Sequence, residues 1–341
     1  MAIDKVTTAS ITDENITTAK LAYSASPFRN IIINGDMSVD QRNATSTINA
    51  GSVTYNVDRF LGRGASSAGV FTLAQDTDSP DSFTNSLKAT VTTADSSVDS
   101  GASYRVQQVV EGTNASQLNW GTSSAKTVTL SFYVKSSVAG TFGGSLANGD
   151  YNRFNVFSYT ISSTNTWERK SVTITGDTSG TWATNTGLGI RVNWSLGAGS
   201  TYVGSAGSWG SSAKEGVTGQ TNLIETNGAT FRITGVQLEI GSVASDFEFL
   251  PIDVNLLRCQ RYFQQVTSNA WFFTYDNTTQ NSRINFFLKC DMRAVPTTTI
   301  TITSGSSSDG VQYSDVGKIT YYQNGGSGIR TDAATKFDSE L

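Results

Sequence analysis

The feature that most constrains this chain is a two-residue hydrophobic rhythm interrupted by glycine-rich turns. In Thr127 to Lys135, Val128, Leu130, Phe132 and Val134 alternate with Thr127, Thr129, Ser131 and Lys135. Leu188, Ile190, Val192, Trp194 and Leu196 alternate in the same way with Gly189, Arg191, Asn193 and Ser195. Successive strand side chains point to opposite faces, so each run predicts a strand with one apolar face. A further run carries Phe231 and Ile233, then Val236, Leu238 and Ile240, with the phase slipping by one at Thr234-Gly235. A one-residue slip at a glycine predicts a β-bulge. No window from 28 to 250 reads as a helix, and 32 glycines against 4 prolines fit many short strands joined by tight turns. The expected architecture of residues 28–250 is an all-β sandwich.

The two ends differ from this middle. In residues 1–27, Val6, Ile11, Ile16 and Leu21 recur every five residues between polar tetrads. That spacing matches neither helix nor strand, and so polar a segment cannot bury itself, so it is expected to dock on a partner or assemble with its own copies. After Pro251, Asp253 to Gln260 predicts one short helix with Asp253 as N-cap and Leu256 and Leu257 inward. Strands then resume: Phe286, Leu288, Cys290 and Met292 alternate, and turns are expected at Ser304 to Ser308 and Gly325 to Gly328. Residues 251–341 form a small β-rich C-terminal tip, expected to pack on the preceding domain or to oligomerise.

Composition removes whole classes of chemistry. With no histidine, Ser-His-Asp and Cys-His nucleophiles and His-ligated zinc are excluded. Cys259 and Cys290 alone make neither a zinc site nor a disulfide framework, and read as small buried hydrophobes. A net charge of −4 with no dense Lys/Arg run argues against nucleic acid as a partner. No run is long and apolar enough to insert in a membrane, and the N-terminus lacks a signal-peptide core, so the Asn114 and Asn277 sequons read as idle.

Several longer strings carry a resemblance. FRNIIINGDMSVDQRN (28–43), YNVDRF (55–60), LSFYVKSSVAGTF (130–142), NTWERKSVTIT (165–175), ITGVQLEIGSVASDFEF (233–249) and CQRYF (259–263) stand in this order. The ordered set resembles tail-fibre-like proteins of tailed bacteriophages, and ITDENITTAKLA is similar to the short repeats that open such fibres. The middle region resembles carbohydrate-binding modules with a galactose-binding-like jelly roll, whose last strand ends much as Val236 to Glu239 does. FDSEL (337–341) is similar to endings in this group, which implies a complete chain; Cys290 departs from the pattern, and residues 264–281 match nothing in it. The resemblance implies a central jelly roll, a homotrimer, attachment to other virion tail proteins through residues 1–27, assembly in the host cytoplasm and a place in the virion tail.

Candidate chemistry is sparse. Asp76, Asp78 and Asp81, with Asp95 and Asp99 after them, lack EF-hand spacing and read as a solvated turn. A looser calcium site, which the jelly-roll resemblance implies, is the lesser alternative. These aspartates sit too close together to flank a glycosidic bond, and the glycine-rich stretches lack phosphate-loop spacing, so no catalytic residue, metal or cofactor is assigned. Aromatic rings remain, because saccharides offer flat C–H faces to them. Trp167 and Trp194 fall at the inward phase and read as core, while Trp120, Trp182 and Trp209 lie among polar loop residues. The tip run Trp271, Phe272, Phe273 and Tyr275, with Tyr321 and Tyr322, must place rings on both strand faces, one of them toward a neighbouring subunit or ligand. Trp271, Phe273, Tyr275, Tyr321 and Tyr322 are therefore the expected ligand-binding residues. The expected function is non-catalytic adhesion to host cell-surface polysaccharide. A structural head-fibre, decoration or tail-adaptor role ranks second, and a polysaccharide depolymerase third.

Overall fold

The computed structural model describes residues 28–66, 68–266, 271–272, 281–299, 302–304, 310–324, 329–331 and 335–341. The expectations for residues 1–27 and for the turns at 304–308 and 325–328 fall wholly or mainly outside them.

The middle of the chain is an antiparallel jelly-roll sandwich. One sheet has the order β1 (Ser46–Ile48), β4 (Val70–Asp76), β5 (Ser86–Thr93), β15 (Thr230–Ile240), β7 (Val128–Ser136) and β10 (Glu168–Ile174). The other runs β13 (Trp209–Gly210), β9 (Phe154–Ile161), β8 (Gly140–Asn148), β11 (Leu188–Ala198), β6 (Ser103–Glu111), β3 (Phe60–Gly64) and β2 (Val53–Tyr55). A short parallel pair, β12 (Val203–Gly204) and β14 (Gly216–Val217), lies in the loop after β11. Both alternating runs read from the sequence send their apolar rows into one core. Val128, Leu130, Phe132 and Val134 from β7 meet Ile190, Val192, Trp194 and Leu196 from β11. Trp194 is fully buried, with Phe132 5.9 Å and Phe60 6.4 Å from its ring.

The bulge is present. Pairing of β15 with β7 shifts between Thr234 and Gln237, and Gly235 adopts a φ of 59°, which favours glycine. Val236, turned onto the core by the slip, donates its N–H to the carbonyl of Gly35 at 2.9 Å. A Cβ on Gly35 would lie 2.0 Å from the Val236 oxygen, so that crossing needs glycine.

The C-terminal segment carries three small sheets: β16 (Phe263–Val266) with β24 (Thr335–Asp338) and β19 (Thr297–Thr299); β17 (Trp271–Phe272) with β23 (Ile329–Thr331) and β20 (Ile302–Ser304); and β18 (Asn281–Phe287) with β22 (Lys318–Asn324) and β21 (Gly310–Ser314). Its helix spans Ile252–Gln260 and begins after Pro251, not at an Asp253 cap. Pro251 already holds an extended ψ of 140° before the first turn, leaving Asp253 inside it, where its charge favours the helix dipole. The inward face is Asn255, Leu256 and Cys259, while Leu257 is half exposed. The alternation expected through Met292 stops at Phe287. There Gln264 accepts the Lys289 N–H at 2.9 Å and draws the chain out of the ladder. Cys259 is buried, Cys290 only half-buried, and both are free thiols.

Most of the strings that carry the sequence resemblance converge on the joint between sandwich and tip. Glu111, fully buried at the end of β6, accepts from Arg261 at 2.7 and 3.0 Å and from the Tyr262 hydroxyl at 2.7 Å. Arg59 pairs with Glu340 and lies over the Tyr262 ring at 3.5 Å. Arg42 pairs with Asp58 at 3.1 Å and Glu340 at 3.3 Å and stacks on Phe263 at 3.8 Å. Ile33, Val39, Cys259 and Tyr262 close a second, small apolar core there.

Candidate functional site

Of the five residues singled out in the tip, Trp271, Tyr321 and Tyr322 lie on described strands. Trp271 pairs with Arg330 at one sheet edge, whereas Tyr321 and Tyr322 pair with Ile284 and Arg283 in another sheet. Phe273 and Tyr275 lie outside the described residues.

The structure instead gathers the three loop tryptophans. Trp120 follows a left-handed Asn119 (φ 53°) after a 3-10 turn, Trp182 sits in the 175–187 loop, and Trp209 occupies the edge strand β13. Their rings meet edge to face: 4.7 Å for Trp120–Trp182, 5.3 Å for Trp120–Trp209 and 5.4 Å for Trp182–Trp209. Each indole N–H is satisfied by a backbone carbonyl, from Lys126, Ser179 and Thr175 respectively. The polar edges are thus anchored and the rings held in fixed orientation. Trp120 is buried beneath the two half-buried rings.

Beside them opens a pocket of about 120 Å³. Trp120 and Trp182 supply its aromatic walls; Ser116, Asn119, Thr122 and Thr184 supply hydroxyl and amide groups at its rim. An apolar ring surface edged by neutral donors and acceptors suits a ligand with one C–H face and several hydroxyls, and the pocket lining holds no acidic residue. Composition flagged each tryptophan as a loop aromatic; their convergence across 89 residues of chain had no local signal.

Trp194 is core as expected, but Trp167 is only half-buried, standing just before the edge strand β10. Its N–H donates to Asp78 at 3.0 Å. The acidic loop is committed to cations of the protein itself. Asp76 pairs with Lys88 at 3.1 Å and Arg232 at 3.4 Å; Asp78 pairs with Lys135 at 2.8 Å and Arg232 at 3.4 Å. Burial alone would raise both carboxyls, yet these partners outweigh it and hold both below the ordinary range. Asp95 accepts the buried Tyr104 hydroxyl at 2.8 Å.

At the joint the carboxyls split. Burial pushes Asp58 up to about 6 against the opposing pull of Arg42 and Gln41. At Glu111 the same burial is outweighed by Arg261, Thr113 and Tyr262, and the pKa falls.

Neither a family model nor a curated protein matches the sequence. Among solved structures, the chain is similar to the enzymatically active domain of tailspike protein 4 of bacteriophage CBA120, at 14% identity and a TM-score of 0.32, over 64% of this chain and 22% of that one. It is similar to TmCBM61, solved with β-1,4-galactotriose, at 10% identity and a TM-score of 0.31, over 62% of this chain and 99% of that one. A family 11 carbohydrate-binding module from Clostridium thermocellum, solved with a mixed-linked β-1,3-1,4 tetrasaccharide, gives 9% identity and a TM-score of 0.29 over 62% and 99%.

Proposed function

We propose that this chain is a receptor-binding component of a phage tail fibre that adheres, without catalysis, to glycan on a bacterial surface. The observation that carries the reading is the tryptophan pocket: three rings remote in sequence, fixed by backbone hydrogen bonds, beside a cleft rimmed by Ser116, Asn119, Thr122 and Thr184. The ordered strings resembling tail-fibre-like proteins supply the virion context. Residues 1–27 attach the chain to other tail proteins, and three copies assemble into the fibre. Single-ring contacts are weak, and a trimer presented in several copies makes adhesion firm by raising the effective concentration of the remaining sites.

The test is binding of fluorescently labelled full chain to host cells before and after mild periodate oxidation of surface sugars. Binding that periodate abolishes supports the reading. Undiminished binding to oxidised cells, or none to untreated cells by chains confirmed as trimers by light scattering, overturns it.

A further inference from the structure

The seven-stranded sheet turns a second face away from the sandwich core, and that face carries an excess of positive charge. On antiparallel strands β3 and β6, Arg63 stands directly opposite Arg105. The next cation is on β11: Arg191 pairs with Val109 of β6, on the same face as Arg105. Like charges set opposite each other on neighbouring strands are unfavourable unless something neutralises them.

Among the described residues, only one carboxylate bonds any of these three cations. Glu215 accepts from Arg105 and the Ser103 hydroxyl at Oε2 and from the Tyr151 hydroxyl at Oε1. Arg105 is buried, and its Nε has no partner. The guanidinium of Arg191 lies 5.1 Å from the Tyr151 ring and that of Arg105 lies 6.0 Å from it. Arg191 reaches only the Gly149 carbonyl, at 3.5 Å, and its buried Nε is also unpaired. The Arg63 side chain has no ion pair or hydrogen bond among the described residues. Burial pulls the Arg191 pKa down, Tyr151 opposes it, and the nearby charges of Arg63 and Arg105 lower it further. Arg63, Arg191, Tyr55 and Tyr151 are each half-buried, so the face opens to solvent between them.

Three guanidinium groups against one carboxylate leave two positive charges without a counter-ion among the described residues. The guanidinium fork matches a carboxylate or phosphate, and the tyrosine rings beside it offer the flat surface that a sugar ring needs. We propose that Arg63, Arg105 and Arg191 form an anion site that takes the carboxylate or phosphate of an acidic saccharide. The saccharide part rests on the function proposed above; the anion site does not.

The test uses the full chain and two charge-removing variants, Arg63→Gln and Arg191→Gln. Titration calorimetry compares a galacturonate oligosaccharide, a phosphate-bearing saccharide and a neutral galacto-oligosaccharide of equal length, while thermal shifts with millimolar inorganic phosphate and free galacturonate probe the anion site alone. Expected are binding of one acidic oligomer at least about tenfold tighter than the neutral one, loss of that preference in either variant, and variants as stable as wild type without ligand. Which acidic oligomer binds separates carboxylate from phosphate. If the small anions raise the melting temperature of wild type but not of the variants, and no oligosaccharide binds, the anion site stands and the glycan reading falls. If neither anion shifts the wild type, if acidic and neutral oligomers bind alike, or if both variants lose stability without ligand, the proposal is overturned.

Discussion

Replacing Glu111 by glutamine removes one charge from the joint while keeping its shape. In the native protein Arg261 donates two hydrogen bonds to this carboxylate, at 2.7 and 3.0 Å, and Tyr262 and Thr113 donate one each at 2.7 Å. A hydrogen bond to a charged group contributes roughly 1.5–3 kcal/mol. The Arg261 side chain is 35% exposed, so solvent screening roughly halves what its fork supplies, leaving about 2 kcal/mol. Weakening the Tyr262 bond from charged to neutral adds about 1 kcal/mol, for a total near 3 kcal/mol. Glu111→Gln, Arg261→Met and the double variant, unfolded in urea and followed by tryptophan fluorescence, should show a coupling of about 2 kcal/mol between the two residues. Because the folded pKa of Glu111 is depressed, its contribution is complete at neutral pH and disappears as pH falls through that pKa. A change below about 0.5 kcal/mol, or strictly additive single variants, would refute the view that this ion pair clamps the tip to the sandwich.

Asp58 has the opposite sign: its pKa is raised to about 6, so stability falls as pH climbs from the ordinary carboxylate range to that value, by roughly 3 kcal/mol. Asp58→Asn should remove that slope in melting temperature between about pH 4 and 6.5, and an unchanged slope would disprove the assignment. Gly35→Ala drives a Cβ into the Val236 carbonyl and should cost about 3 kcal/mol or prevent folding; a melting temperature within about 1 °C of wild type would mean that the crossing is not tight. Trp182→Ala removes two edge-to-face contacts and a half-buried ring, an expected loss of about 2 kcal/mol in urea unfolding, and a neutral result would mean that the cluster is not packed as a unit.

How far the sequence reaches depends on whether a feature is local. The core rows of β7 and β11 and the bulge at Gly235 are written in two-residue periodicity and one glycine, and both are legible. The N-cap expected at Asp253 lies two residues past the observed one, because Pro251 and Asp253 both signal a beginning and only backbone geometry decides between them. Phe287 was extended into a longer strand because nothing local announces that Gln264, twenty-five residues earlier, claims the Lys289 N–H. The tryptophan pocket and the arginine face are illegible for the same reason: Trp120, Trp182 and Trp209 meet only through the packing of loops distant in sequence, and Arg63, Arg105 and Arg191 only through sheet order. The tip aromatics drew notice because they are consecutive, yet Trp271 and the Tyr321–Tyr322 pair fall in different sheets.

The same sheet order also explains what the recurrent strings do. Arg42, Asp58, Arg59, Arg261, Tyr262 and Glu340 come from four of them and lock one joint. The strings at 28–43, 55–60, 259–263 and 337–341 therefore hold tip and sandwich together, whereas the tryptophan pocket and arginine face are built from residues outside them.

The most direct test of the account is a glycan array probed with the labelled full chain beside Trp182→Ala, both checked for native fold by near-ultraviolet circular dichroism. The account predicts a restricted set of bound saccharides for the wild type and loss of that set in the variant. No saccharide bound by the wild type, or an identical set bound by Trp182→Ala, would contradict it.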